Sequence, residues 1–124
     1  MKKPHVLLVE DDEHLVDLYA SMIKLMEWVP VVCRKGGEAL KIFESAEFPV
    51  AVILLDLILP DIHGIECICR FKKTDPRVPV VVCTGSEHMN EIALLKAEGA
   101  FDILSKPFVA NDLIAMLKRA VGEI

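Results

Sequence analysis

The sequence lacks the long apolar runs and the basic clusters that would place the chain in a membrane or on a nucleic acid. Although 53% of its residues are hydrophobic and its mean hydropathy is +0.43, no apolar run approaches the roughly 18 residues of a membrane helix. The net charge is -5, whereas nucleic acids are bound by clustered lysine and arginine. Residues 1–5 lead into an apolar run too short for a secretory signal. We therefore expect a cytoplasmic protein that binds neither membranes nor nucleic acids directly.

Cysteine and histidine lack the spacings of redox and metal sites. Cys67 and Cys69 are separated by one residue, not by the two of a CxxC motif, and Cys33 and Cys83 lie inside predicted strands. The histidines share no metal-ligand spacing either. We expect the cysteines to be reduced and buried, and the histidines to lie at the surface.

What the sequence does contain is an alternation of short apolar runs with helical patterns. The apolar runs predict strands at residues 6–9, 28–33, 50–55, 78–83 and 101–104. Helical spacing predicts helices at residues 14–27, 36–46, 64–74, 88–98 and 111–121. Gly99 is expected to cap the end of the fourth helix, and Asn111 the start of the fifth. The alternation predicts an α/β fold with a parallel sheet covered by helices on both faces, and residues 1–124 form one predicted domain.

Polar side chains follow the predicted strands at one edge of the sheet. Glu10 and Asp11 follow the first strand, Asp56 the third, Thr84 the fourth and Lys106 the fifth. In a doubly wound sheet the carboxyl ends of the strands meet at the rim where ligands bind, so we expect these side chains to converge. Three carboxylates together would raise the pKa of at least one unless a cation lay among them. Hard oxygen donors of this kind favour Mg²⁺ or Mn²⁺.

A divalent ion would make the predicted site electrically neutral. The three carboxylates carry -3, while the ion and Lys106 carry +3, so an incoming phosphoryl group would meet cations. Asp56 could then attack phosphorus and form an acyl phosphate, with Thr84 as a hydroxyl donor. Each residue alone has an ordinary structural explanation, such as an acidic pair that favours a helix N-terminus. Their joint placement at successive strand ends is what indicates a function.

Four motifs occur together along the chain. They are Leu8-Val9-Glu10-Asp11, Asp56-Leu57-Ile58-Leu59-Pro60 followed by Gly64, Thr84, and Lys106-Pro107-Phe108 preceded by Gly99-Ala100. In these motifs and their separations, essentially the whole chain resembles the receiver domain of bacterial two-component response regulators. The resemblance implies a doubly wound, five-stranded parallel sheet flanked by five helices, with the flavodoxin-like strand order 2-1-3-4-5.

The resemblance also implies roles for the acidic residues. Asp56 would be the phosphoacceptor, and Mg²⁺ would be bound by Asp11, Asp56 and the backbone carbonyl of Ile58, with Glu10 assisting through a water molecule. The phosphodonor would be a phosphohistidine on a sensor histidine kinase or a phosphotransfer protein, for which small acyl phosphates can substitute. The domain would be a signalling receiver and not an enzyme, because it would catalyse only its own phosphorylation and dephosphorylation.

For the rest of the site, the resemblance implies that Thr84 and Lys106 hold phosphoryl oxygens and that the Lys106–Pro107 bond is cis. Phosphorylation would switch the surface of the fourth helix, fifth strand and fifth helix, to control a downstream protein or output domain or to form a homodimer. Ile103 departs from the family pattern, which often has an aromatic residue there. A branched aliphatic side chain has few rotamers and no large ring to reorient, so the usual aromatic route for the signal is in question.

Other functions are weighed against this hypothesis. A phosphohydrolase resembling the haloacid dehalogenase group would carry a second aspartate two residues after the nucleophile, where this chain has Ile58. A flavodoxin-like cofactor module would need a phosphate-binding loop after the first strand, but residues 10–13 are all acidic and would repel a phosphate. An adaptor that uses the fold without phosphorylation stays open.

Overall fold

Five parallel strands form the centre of the protein in a computed structural model, which describes residues 3–122 apart from the side chains of Ser86, Glu87 and Met89. The strands are β1 (His5–Val9), β2 (Val29–Cys33), β3 (Val52–Asp56), β4 (Val80–Thr84) and β5 (Asp102–Ser105). They pair in the order β2-β1-β3-β4-β5, and every pair is parallel. The predicted fold class and strand order are confirmed. The domain boundary at residues 1–124 stays a prediction, and residues 1–2 and 123–124 lie outside the described range.

Among the described residues, five α-helices connect or follow the strands. They are α1 (Glu13–Leu25), α2 (Gly36–Ser45), α3 (Gly64–Thr74), α4 (Ile92–Ala97) and α5 (Ala110–Ala120). Within residues 3–122, none of these helices has both the length and the apolar composition needed to cross a bilayer.

The fourth predicted helix is only partly α-helical. A 3₁₀ helix spans Ser86–Glu91, and α4 starts only at Ile92. The segment before α4 contains His88 and Asn90, which are weak helix formers, and 3₁₀ turns are common at the start of helices. Gly99 follows the end of α4 with φ 115°, which confirms its predicted capping position.

The start of the fifth helix differs from the prediction by two residues. Val109, not Asn111, is the N-cap of α5. Its backbone is already extended, at φ -91° and ψ 159°, and its carbonyl accepts hydrogen bonds from the N–H groups of Asp112 and Leu113. Because the chain enters the helix earlier than the capping preference suggested, Asn111 lies exposed in the first turn.

Two apolar layers, one on each face of the sheet, explain why the strands are apolar without alternation. The layer beneath α2, α3 and α4 contains Leu7 and Val9 of β1, while the layer beneath α1 and α5 contains Val6 and Leu8. Successive side chains of a strand point to opposite faces, so a strand covered on both sides must be apolar at every position. Charged residues are therefore confined to strand ends.

The cysteines are free thiols, as predicted, but they are not all buried. Cys33, Cys67 and Cys83 are buried, whereas Cys69 is exposed. Helix α3 buries Cys67, Ile68 and Phe71, so position 69 faces solvent, where its Sγ donates a hydrogen bond to Glu98 Oε2 at 3.1 Å. The expectation of burial was wrong for Cys69 because the apolar spacing in α3 did not show which face packs on the sheet.

Candidate functional site

The polar residues predicted to converge do meet at the carboxyl ends of the strands. Glu10, Asp11 and Asp56 each offer a carboxylate oxygen, and these oxygens all lie within 4.8 Å of one another. Lys106 Nζ lies 3.3 Å from Glu10 Oε1 and 3.7 Å from Asp56 Oδ1. The fifth predicted residue, Thr84, is the last residue of β4. It lies beside Lys106, because its carbonyl accepts a hydrogen bond from Lys106 N at 2.8 Å.

Backbone hydrogen bonds continue the sheet past its strand ends and hold these residues side by side at the edge of the sheet. Glu10 N donates to Cys33 O at 3.0 Å, and Leu57 N donates to Cys83 O at 3.3 Å. The register aligns Asp56 with Cys83. The site therefore rests on the hydrogen-bonded ladder of the parallel sheet.

Glu10 is the buried carboxylate of the site. Its residue is only 2% exposed, and burial, followed by the nearby Asp56 carboxylate, raises its pKa to about 7. Lys106 Nζ and the N–H of Asp12, which lies 3.3 Å from Glu10 Oε2, act in the opposite direction. This agrees with the expected repulsion among the carboxylates. With one lysine against three carboxylates, the cluster lacks positive charge, and a divalent cation would supply it.

Lys106 stays protonated in this environment. Burial alone would lower the pKa of its ammonium group, but the carboxylates of Asp56 and Glu10 outweigh burial and raise it. The Lys106–Pro107 peptide bond is cis, as predicted. A charged ammonium group 3.7 Å from Asp56 Oδ1 is placed to contact any anionic group that joins that carboxylate.

Thr84 has an unused hydroxyl group. It is 1% exposed, and its Oγ1 has no hydrogen-bond partner among the described residues. A buried hydroxyl without a partner costs roughly 1–3 kcal/mol, so such groups are rare unless a ligand uses them. Together with the hard carboxylate oxygens, this donor fits a site for Mg²⁺ and a phosphoryl group.

Of two further predicted positions, Ile58 lies beside the carboxylates of Glu10, Asp11 and Asp56, and Ile103 lies in an apolar layer. The N–H of Ile58 donates to Asp56 Oδ1 at 3.3 Å, which places the main chain of this residue beside the predicted acceptor. Ile103 is half-buried in β5 and packs against the apolar layer beneath α2, α3 and α4.

Asp61 was not among the predicted residues, and its carboxylate binds the start of α2. Its oxygens accept hydrogen bonds from the N–H groups of Gly36 and Gly37, each at 2.9 Å. The signal in the sequence is indirect. The glycine pair opens a helix after Lys35, which is not a capping residue type, so an acceptor from elsewhere in the chain was needed.

Comparison with known proteins identifies the family. The family model for the response regulator receiver domain matches residues 6–118. The chain belongs to this receiver domain family. It is accordingly a domain of phosphorylation-dependent signalling, in a family of signalling domains and not of classical enzymes.

Individual relatives are consistent with this assignment. An uncharacterized transcriptional regulatory protein of Bacillus subtilis, YkoG, is 30% identical over 123 residues, which cover 99% of this chain and 53% of the relative. The chain spans between 16% and 53% of the length of the first curated relatives that it matches.

Solved structures share the fold. A response regulator receiver domain protein from Clostridium thermocellum superposes with a TM-score of 0.90 at 24% identity, covering 95% of this chain and 94% of that one. The receiver domain of a sensor histidine kinase from Pseudomonas aeruginosa gives 0.87 at 23% identity, covering 98% of this chain and 100% of that one. That structure is described with a magnesium ion coordinated in its active site cleft. At these identities the likeness shows the fold alone.

Proposed function

We propose that Asp56 accepts a phosphoryl group in a Mg²⁺-dependent reaction and thereby switches the receiver domain between two signalling states. The observation that carries the proposal is the convergence of Glu10, Asp11, Asp56 and Lys106 at one rim of the sheet. Like charges gathered around a buried carboxylate such as Glu10 destabilise a fold, and they persist at functional sites where a ligand offsets them.

In this proposal, Asp11, Asp56 and the backbone carbonyl of Ile58 hold Mg²⁺, and Glu10 contributes through a water molecule. The bound ion supplies positive charge to phosphoryl oxygens, and Mn²⁺ would serve in its place. The acidic cluster supports this assignment, as does the magnesium ion described in the related Pseudomonas receiver domain.

The protein's own groups then carry out the transfer. A carboxylate oxygen of Asp56 attacks phosphorus, the bond from phosphorus to the donor's imidazole nitrogen breaks, and an acyl phosphate remains on Asp56. Lys106 Nζ compensates the charge on the phosphoryl oxygens. The unpartnered hydroxyl of Thr84 donates a hydrogen bond to one of them, which draws the chain after β4 toward Asp56. The protein catalyses only its own phosphorylation and dephosphorylation.

The proposed donor is a phosphohistidine on a sensor histidine kinase or phosphotransfer protein in the cytoplasm, and the proposed readout is the surface of α4, β5 and α5. Asp102 in β5 ties this surface together, because it lies 3.5 Å from Lys96 Nζ in α4 and 2.9 Å from Arg119 in α5. Ile103 has no ring to swing inward, so Thr84 would act on this surface through the packing of β4 against β5.

The proposed output is a downstream protein or domain, with no direct nucleic acid contact by this chain. A second copy of the chain can also be recruited on phosphorylation.

The test is phosphorylation by acetyl phosphate, followed by intact-mass measurement. With Mg²⁺, the wild-type protein should gain the mass of one phosphoryl group. The gain should disappear in Asp56→Ala and when a chelator removes the metal. No gain in the wild type, or an equal gain in Asp56→Ala, would contradict the proposal.

A further inference from the structure

The loop that follows Asp56 is fixed at its base. The N–H of Gly64 donates to Leu57 O at 2.8 Å, which closes residues 57–64 into a compact turn. The closure needs glycine, because a Cβ at Gly64 would lie 2.8 Å from both Cα and O of Leu57. This hydrogen bond joins the two ends of the loop, and at the first end the N–H of Ile58 donates to Asp56 Oδ1 at 3.3 Å. The middle of the loop needs contacts of its own.

A second attachment comes from Asp61, and it reaches across to a different helix. The two carboxylate oxygens of Asp61 accept hydrogen bonds from the N–H groups of Gly36 and Gly37, which lie 25 and 24 residues earlier in the chain. The N-cap residue of α2, Lys35, makes no side-chain hydrogen bond to the helix within the part of the chain that the structure describes. Asp61 thus takes the place of the N-cap side chain. The hydrogen bonds from Gly37 and Gly36 also hold the pKa of Asp61 below its usual value.

Apolar contacts on both sides of Asp61 reinforce this attachment. A Cβ at Gly36 would lie 3.3 Å from Ile62 Cβ and from Leu59 Cδ1, and 2.8 Å from Cys67 Sγ. The loop therefore packs directly on the backbone at the start of α2, with room only for glycine. Leu59 and Ile62 flank Asp61 in sequence, so the polar and apolar contacts hold the same stretch of chain.

We propose that Asp61 is a positioning residue for the metal site, because it ties the loop after Asp56 to α2 and so holds the main chain of Ile58 in place for Mg²⁺. The inference rests on the proposed function, which assigns the Ile58 carbonyl to the metal. The competing explanation is that Asp61 merely stabilises α2. The two explanations differ in what they predict for Mg²⁺ affinity when α2 is capped by other means.

The primary measurement is the Mg²⁺ dissociation constant by calorimetry on Asp61→Ala. Residues that orient metal ligands typically change metal affinity about 10- to 100-fold, and because Asp61 acts through the main chain we expect the lower limit, about tenfold weaker binding. In the acetyl phosphate reaction, the Mg²⁺ concentration for half-maximal rate should rise by the same factor. The rate at saturating Mg²⁺ should stay close to that of the wild type. An unchanged dissociation constant would overturn the inference.

A local helix cap separates positioning from helix stability. Lys35 has the extended backbone of an N-cap, at φ -134° and ψ 147°, so Lys35→Ser provides a serine cap for α2. In the double variant Asp61→Ala/Lys35→Ser, the melting temperature should recover while Mg²⁺ binding stays weak. Recovery of Mg²⁺ affinity along with stability would show that Asp61 only caps the helix. The single variant Lys35→Ser controls for the lost lysine charge and should bind Mg²⁺ like the wild type.

A charge control is also available in the first turn of α2. Glu38→Gln removes one carboxylate there, while the amide oxygen can still accept the hydrogen bond that Arg34 N donates to Glu38 Oε1 at 3.3 Å. It should leave the Mg²⁺ dissociation constant within about twofold of the wild type, because exposed charges are screened by salt. A loss equal to that of Asp61→Ala would mean that the effect is long-range electrostatics, and would overturn the inference.

The outcomes also separate this inference from the proposed function. A wild type that binds Mg²⁺ but is not phosphorylated contradicts the proposed function, while the ratio of dissociation constants still decides the role of Asp61. A phosphorylated wild type with an unchanged Mg²⁺ affinity in Asp61→Ala contradicts the inference alone. Amide hydrogen exchange at Gly36 and Gly37 without metal should quicken in Asp61→Ala, and unchanged exchange would likewise contradict the inference.

Discussion

The two ends of the parallel sheet differ in how they hold charge. At the carboxyl ends, Glu10 is 2% exposed and lies 3.3 Å from Lys106. At the amino ends, the contacts include ring stacking and surface ion pairs. The rings of His5 and Phe48 stack 5.3 Å apart, and Arg77 pairs with Asp75 through a side chain that is 92% exposed.

This difference shows that a hollow in the surface does not mark the candidate functional site of this protein. The amino ends carry an open hollow lined by Phe43, Phe48 and Pro76, among other residues, but its charged groups are solvated and contribute little. The carboxyl ends bury Glu10 and leave the side chains of Lys106 and Asp56 only 24% and 12% exposed, so water screens these charges less and they depend more on a partner or a ligand. Substitutions matched between the two ends test this contrast.

The largest expected effect is on phosphorylation when the lysine at the carboxyl ends is removed. Lys106→Ala should slow the acetyl phosphate reaction about 100-fold, the cost of losing one preorganised donor to a charged transition state. The matched change at the amino ends is Arg77→Ala, which should leave the rate unchanged. The measurement is the rate of mass gain at saturating Mg²⁺. Equal rates for Lys106→Ala and the wild type would remove Lys106 from the site.

The second prediction concerns pH and the stability of the metal-free protein. The pKa of Glu10 is about 7 in the folded protein, above its ordinary value of 4.5, so between these values the folded state binds more protons than the unfolded state. Stability therefore falls as pH rises through this window. Relative to the wild type, Glu10→Gln should raise the free energy of unfolding by about 1–3 kcal/mol at pH 8 and by little at pH 4.5. Denaturant unfolding with a chelator at the two pH values measures this.

The amino ends provide the control with the opposite sign. The hydrogen bond from Arg77 N lowers the pKa of Asp75 below its ordinary value of 3.8, so its contribution to stability is lost only as pH falls below that value. Relative to the wild type, the change in free energy of unfolding caused by Asp75→Asn should be the same at pH 4.5 and at pH 8.

Adding Mg²⁺ should reduce the pH dependence of the stability of the wild type, because a nearby cation favours the ionised form of Glu10. A pH dependence of Glu10→Gln identical to that of the wild type would contradict the buried-charge account.

The features that sequence reasoning captured are those set by local pattern together with topology. Short apolar runs without alternation are typical of parallel strands that are covered on both faces. Parallel strands place their carboxyl ends at one rim of the sheet. That is why the order of strands and helices along the chain was enough to bring Glu10, Asp56 and Lys106 together. Their convergence did not depend on the details of loops.

The features that were missed depend on contacts between distant segments. Asn111 is a preferred capping residue, but the path of the chain into α5 gave that place to Val109. Cys69 belongs to an apolar stretch of α3, but packing decided that the opposite face is buried. The attachment of Asp61 to Gly36 spans 25 residues, and neither partner carries a local signal for the other. Local propensity cannot resolve such choices, because tertiary packing overrides it.

The smallest expected effect comes from the buried hydroxyl of Thr84. Since its Oγ1 has no partner among the described residues, Thr84→Val replaces a polar group that is costly to bury with a methyl group of similar shape. It should raise the melting temperature slightly, corresponding to about 1 kcal/mol. At the opposite end of the sheet, Thr74 Oγ1 donates to Arg70 O at 3.1 Å in an exposed position, so Thr74→Val should lower stability or leave it unchanged.

Phosphorylation separates the two threonine variants further. Thr84→Val should be phosphorylated more slowly than the wild type, by about tenfold, because one neutral donor to the phosphoryl group is lost, while Thr74→Val should match the wild type. The combination of a more stable protein with weaker chemistry is expected only where a polar group is kept for a ligand. If Thr84→Val instead lowers stability by more than about 1 kcal/mol, its hydroxyl already has a partner in the resting protein, and the contrast between the two ends rests on the carboxylates and Lys106 alone.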